Sequence, residues 1–190
     1  MGRNLTTEEK NRLYYAIMDG RNSEVVLYQT PDFRMDKKIE NTRKNSVGKM
    51  NVCGDVAHFL AYGLTFGGVM HMACRSNSQQ TNWNTVVKNA TERAQINGLF
   101  WTQNQPCTQL VVAGRKYMTL YEQGEFNSRI INYYDVVQVK MSVGGMTILS
   151  RNPKNPDTYL SSVISSSVAV LDQLAMFVVE GCFRNYGYAA

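Results

Sequence analysis

Between Cys107 and Ser150, short apolar runs alternate with turn residues at a spacing suited to antiparallel strands. Gln109–Ala113 and Tyr117–Glu122 flank the turn Gly114-Arg115-Lys116, and residues 130–134 follow another turn near Gly124. Val137, Val139, Met141 and Val143 then alternate with Gln138, Lys140 and Ser142, the period of a half-buried strand. Gly144-Gly145 leads into a further apolar run, 146–150. Two glycines between such runs predict a hairpin, because primed turns need positive φ.

Helices are predicted on both sides of this block. Thr6 with Glu9 three residues on is a capping box, Leu13, Ala16 and Ile17 form an apolar stripe, and Gly20 is a stop. Residues 24–29 (EVVLYQ) read as a short strand ended by Pro31. Over 82–97, Trp83, Val87, Ala90 and Ala94 share one helical face, with Gly98 as the stop. The breaker 151–156 (RNPKNP) precedes a long C-terminal helix capped by Asp157. In it Leu160, Ile164, Ser167, Leu171, Leu174 and Val178 step by four and three residues, and Gly181 ends it. The longest apolar-rich stretch, 47–75, reads as a helix opened by Asp55 and broken by Gly63 and Gly67-Gly68, then a buried strand over 69–74. The chain is 190 residues long and 44% hydrophobic, enough for one core. The predicted architecture is a single α+β domain: an antiparallel sheet built mainly from the second half, packed by three to four helices including the C-terminal one.

Chemistry-bearing residues are sparse. Cys53 opens a predicted helix, where the dipole and free N–H groups lower a thiol pKa, as in papain-like and transglutaminase-like hydrolases. A thiol hydrolase needs a histidine partner, and the one available is His71, just past the Gly-Gly break. His58, five residues from Cys53, points about 140° away from it on a helix. A buried structural Cys53 is therefore expected, with a Cys53–His71 hydrolase as the alternative. His71 and Cys74 fall on opposite faces of a strand and no second ligand pair exists, so no metal is expected. No phosphate loop is present and no cofactor is implied. The cysteines at 53, 74, 107 and 182 lack a CxxC pair and read as free thiols.

Composition directs attention to surfaces. Only 18% of residues are charged, 11% are aromatic and ten are methionine, and the net charge is +5. Protein–protein interface centres favour such a balance. Tyr133, Tyr134, Phe183, Tyr186 and Tyr188 are the candidate interface aromatics. The basic interval 34–49 reads as a loop or arm. Its Arg34, Lys37, Lys38, Arg43 and Lys44 are candidates for contacting a neighbouring subunit or, less favoured, nucleic acid. Asp36 and Glu40 mix the charge, which suits a protein partner better than phosphate. The expectation is a non-enzymatic structural or assembly protein that self-associates and joins other subunits, such as a capsid, connector or tail-ring subunit of a virus or phage particle. A nucleic-acid-binding accessory protein is a further alternative. No apolar signal region opens the chain, and the run 168–179 is too short for a bilayer and carries Asp172 and Gln173. A cytoplasmic or virion location without membrane contact follows as the expectation.

Overall fold

The computed structural model describes residues 2–41, 82–104, 107–123, 128–143 and 145–186. The helix and strand expected within 47–75 lie outside the described residues.

Helix α1 (Thr7–Asp19) starts at the expected capping box. The Glu9 N–H donates to Thr6 Oγ1 at 3.2 Å and the Thr6 N–H donates to Glu9 Oε2 at 2.9 Å. The Arg3 guanidinium also donates to that carboxylate and, with the Thr6 N–H, holds its pKa down at about 2. Leu13 and Ile17 are buried as the stripe requires.

Strands β1 (Val25–Gln29) and β2 (Lys38–Asn41) follow, then helix α2 over 82–96. Next come β3 (Phe100–Gln103), β4 (Gln109–Ala113), β5 (Tyr117–Glu122) and β6 (Arg129–Asn132). A 3₁₀ turn, Tyr133–Asp135, leads to β7 (Val136–Ser142), β8 (Gly145–Arg151), β9 (Thr158–Ile164) and helix α3 (Val168–Asn185). The strands form two sheets, one in the order β1-β7-β8-β9-β2 and the other β3-β4-β5-β6. All pairings are antiparallel except β2 with β9. The class is α+β, with strands concentrated in the second half and a C-terminal helix.

Four sequence expectations need correction. The helix expected from Asp157 is two elements, since 158–164 is a strand and α3 begins only at Val168, and α3 runs through the expected stop Gly181 to Asn185. Strand β9 lies between β8 and β2, so Tyr159, Ser161, Ser162 and Ile164 are all buried and show no period-two alternation. The breaker 151–156 thus precedes a strand. Residues 38–41, expected within a loop or arm, form the edge strand β2, whose register sets Ile39 beside Tyr159. The alternation from Val137 is interrupted because β7 is bulged against β8 between Val136 and Gln138. Val137 therefore joins Leu149, Tyr159 and Phe33 on the outer face, while Val139 and Met141 enter the main core. Finally, Ser142 pairs with Gly145, so Gly145 opens β8 and the connection is residues 143 and 144.

One core draws on both sheets. Helix α3 contributes Leu174, Val178 and Cys182, β4 and β5 contribute Val111 and Met118, and β7 and β8 contribute Val139 and Ile148. Tyr133, at the joint between the sheets, is fully buried. A Cβ on Gly181 of α3 would lie 2.6 Å from its ring, so only glycine allows this approach. Buried Gln109 links the sheets a second time. Its Nε2 donates to Val163 O at 2.9 Å and to Glu122 Oε1 at 3.0 Å, and its Oε1 accepts from the Ser165 N–H at 3.0 Å. Helix α2 packs on the other face of the four-stranded sheet, setting Trp83 and Ala90 against Leu110 of β4.

Two outcomes follow. The Tyr133 hydroxyl is buried without a hydrogen-bond partner, so Tyr133→Phe should leave stability unchanged or raised, while Tyr133→Ala should lose about 3–5 kcal/mol in urea unfolding. Gly145 has φ +147°, and a Cβ there would meet Ile164 O at 2.4 Å. Gly145→Ala should cost at least about 2 kcal/mol, and a native-like midpoint would show that the β8 start adopts another backbone.

Candidate functional site

One face of the four-stranded sheet carries exposed apolar side chains. Strand β4 is buried on both sides: Val111 and Ala113 enter the main core, while Leu110 and Val112 pack under α2. The cover does not extend across the sheet. Tyr117 on β5 is 49% exposed and Ile130 on β6 is 62% exposed. Thr119 pairs with Ile130 and Tyr117 with Asn132, so these residues share the face opposite buried Met118 and Ile131. Among the described residues, strand β6 is also the edge of its sheet. Arg129, at its start, is tied inward to Glu122 at 2.8 Å, which leaves Ile130 as the outward side chain of the edge.

The end of this face opens into a cleft of about 880 Å³. The β4–β5 turn brings Arg115 and Lys116 to it, and the C-terminus of α3 brings Arg184 and Asn185. Tyr117, Asn132, Tyr134 and Asn4 complete the lining, which contains no carboxylate. Asn185 fixes the two sides relative to one another. Its Nδ2 donates to Arg115 O at 2.9 Å and to Gly181 O at 2.7 Å. Asp135, the nearest acid in sequence to Tyr134, accepts from Asn132 Nδ2 at 3.2 Å.

The expected site residues are scattered. Cys53, His71, Arg43, Lys44 and Tyr188 lie outside the described residues. Tyr133 is in the core, so it offers no contact surface. Phe183 packs edge-on against Tyr28 at 5.1 Å and lies beneath Arg3 at 5.7 Å. Tyr186 is exposed, and Tyr134 is 39% exposed where it lines the cleft. Lys37 is used internally, with its Nζ donating to Pro156 O at 2.5 Å and lying 5.3 Å from the centre of the Tyr159 ring. Arg34 and Lys38 are exposed. Sequence reasoning missed Arg115, Lys116, Arg184, Tyr117 and Ile130. A paired Arg-Lys at a hairpin turn was the available signal, but its convergence with Arg184 is tertiary.

Among the described residues no group of three His, Cys, Asp or Glu side chains is placed to hold a metal ion. Burial raises the thiol pKa of Cys107, and raises that of fully buried Cys182 further. Neither is set up as a nucleophile. Among the described residues no helix is long and apolar enough to cross a membrane. What these features define is an α+β domain of two sheets around a C-terminal helix, carrying an open sheet edge and a basic cleft. No protein family, curated protein or solved structure matches this chain. A mild electrophile at pH 7 should modify Cys107 slowly and Cys182 only on unfolding, read as mass per peptide over time. Rapid labelling of Cys182 in the folded chain would contradict its placement.

Proposed function

We propose that the chain is a non-enzymatic assembly protein that associates with itself, of the kind that builds virus or phage particles. The observation that carries this reading is the edge strand β6 of the four-stranded sheet, as the described residues form it, where Ile130, paired with Thr119, is exposed to solvent. An edge strand presents a row of unpaired N–H and C=O groups, and proteins that stay monomeric usually blunt it with charge, proline or cover. Here the charge at the start of β6 is turned inward onto Glu122, and the outward residue is an isoleucine. A second copy fits this edge directly. Two β6 strands running antiparallel across a two-fold axis would continue the sheet through both copies and shield Ile130 from water, a self-complementary contact. The low overall charge, 18%, suits a chain that buries part of its surface in an assembly.

Multi-angle light scattering across a hundred-fold range of concentration tests this. The native chain should show a mass above 21.5 kDa that rises with concentration. Ile130→Asp should shift the population to monomer with an unchanged far-ultraviolet circular dichroism spectrum. A native chain that stays monomeric throughout would overturn the reading.

A further inference from the structure

We infer that the cleft formed by Arg115, Lys116, Arg184, Tyr117 and Tyr134 is a binding site for single-stranded nucleic acid. The inference is separate from self-association and rests on the distribution of charge partners. Some cations of the described surface are matched with carboxylates: Lys10 with Glu180, Arg21 with Asp172, Lys140 with Glu24, Arg151 with Asp32. Among the described residues, Arg115, Lys116 and Arg184 have no such match, and neither have Arg34, Lys38, Arg93 and Lys154, but Arg115, Lys116 and Arg184 converge in one cleft whose lining has no acidic residue. Like charges brought together at no visible gain in stability raise the local potential and favour an anionic ligand.

The rest of the lining narrows the ligand. Tyr117 and Tyr134 are part-exposed rings, offering flat surfaces beside the cations. Cations that follow a phosphate backbone, combined with aromatic rings that stack bases, are the recurrent means of holding single strands without sequence readout. Duplex DNA keeps its bases stacked within the helix and would use only the charges. Asn4, Asn132 and Asn185 add neutral amides. The carbonyl end of α3 is the unfavourable pole for an anion, but Arg184 sits in its last turn and Asn185 donates to Gly181 O. Asn185 also joins the turn to the helix, so the two sides of the cleft are held together before any ligand arrives.

Fluorescence anisotropy with a labelled fifteen-nucleotide oligothymidine provides the test. Arg115→Glu/Lys116→Glu should weaken binding ten-fold or more. It should also lower the slope of log affinity against log salt by about 1.4, from about 0.7 per lost phosphate contact. Tyr117→Ala, which keeps every charge, should weaken binding roughly five-fold or more through lost stacking. Both substitutions fall on exposed positions, and circular dichroism checks the fold. Lys38→Glu/Lys154→Glu, equal in charge change but outside the cleft, should bind as the native chain does. A duplex of the same length should bind more weakly and be insensitive to Tyr117→Ala. The inference is overturned if the native chain does not bind the oligomer, if the cleft variants bind normally, or if only the Lys38→Glu/Lys154→Glu variant loses affinity.

Discussion

The ring of Tyr133 against the bare backbone of Gly181 holds the molecule together. The 3₁₀ turn carrying Tyr133 is the covalent joint between β6 of one sheet and β7 of the other. Gly181 belongs to the helix that shares a core with both sheets. Any larger residue at 181 would force the ring away, with a Cβ 2.6 Å from its edge. Such overpacking costs about 1–3 kcal/mol, which can exceed the roughly 1 kcal/mol that a helix gains from replacing glycine. The close approach also determines where Arg184 and Asn185 emerge, three and four residues further along. The basic cleft is therefore placed by the core.

How much of this could be read from sequence depended on how many neighbours each element has. Helix α1 declared itself through Thr6 and Glu9, and β4 and β5 were located to the residue by the turn between them. These elements are specified by local chemistry. Strand β9 was misread because it is flanked on both sides and buried on both faces, so its apolar residues lost the strand period and happened to match steps of three and four. The countervailing signal was composition. Ser161, Ser162, Ser165, Ser166 and Ser167, with Val163 and Ile164, favour strand or loop over helix, and Ser167 is where α3 begins. The bulge in β7 misled in the same way, since one extra residue exchanges the faces beyond it.

The basic segment shows a different limit. Arg34, Lys37 and Lys38 resembled a solvated arm because charge normally marks a solvated surface. Within it, Lys37 lies over the Tyr159 ring and Arg34 donates its backbone N–H to the Tyr159 hydroxyl at 3.0 Å. Phe33 stacks on the same ring at 5.5 Å. One buried tyrosine on β9 thus organises a stretch whose own residues carry no periodic signal. Long basic side chains cover apolar surface with their stems while the charge stays wet, and this contribution to packing is hidden in a charge count.

The same reasoning separates net charge from electrostatic function. A surplus of five positive charges on 190 residues is modest and would support only weak, diffuse attraction to an anion if spread evenly. The fold distributes it unevenly. Ion pairs such as Lys10–Glu180 and Arg151–Asp32 cancel charge locally over α1, α3 and the five-stranded sheet. The turn between β4 and β5 and the end of α3 carry cations without that cancellation, and they meet in a concave space. Field strength depends on this convergence and on the low-dielectric walls around it. Two residues adjacent in sequence and a third about seventy positions later can produce such a field only after both sheets have closed on α3.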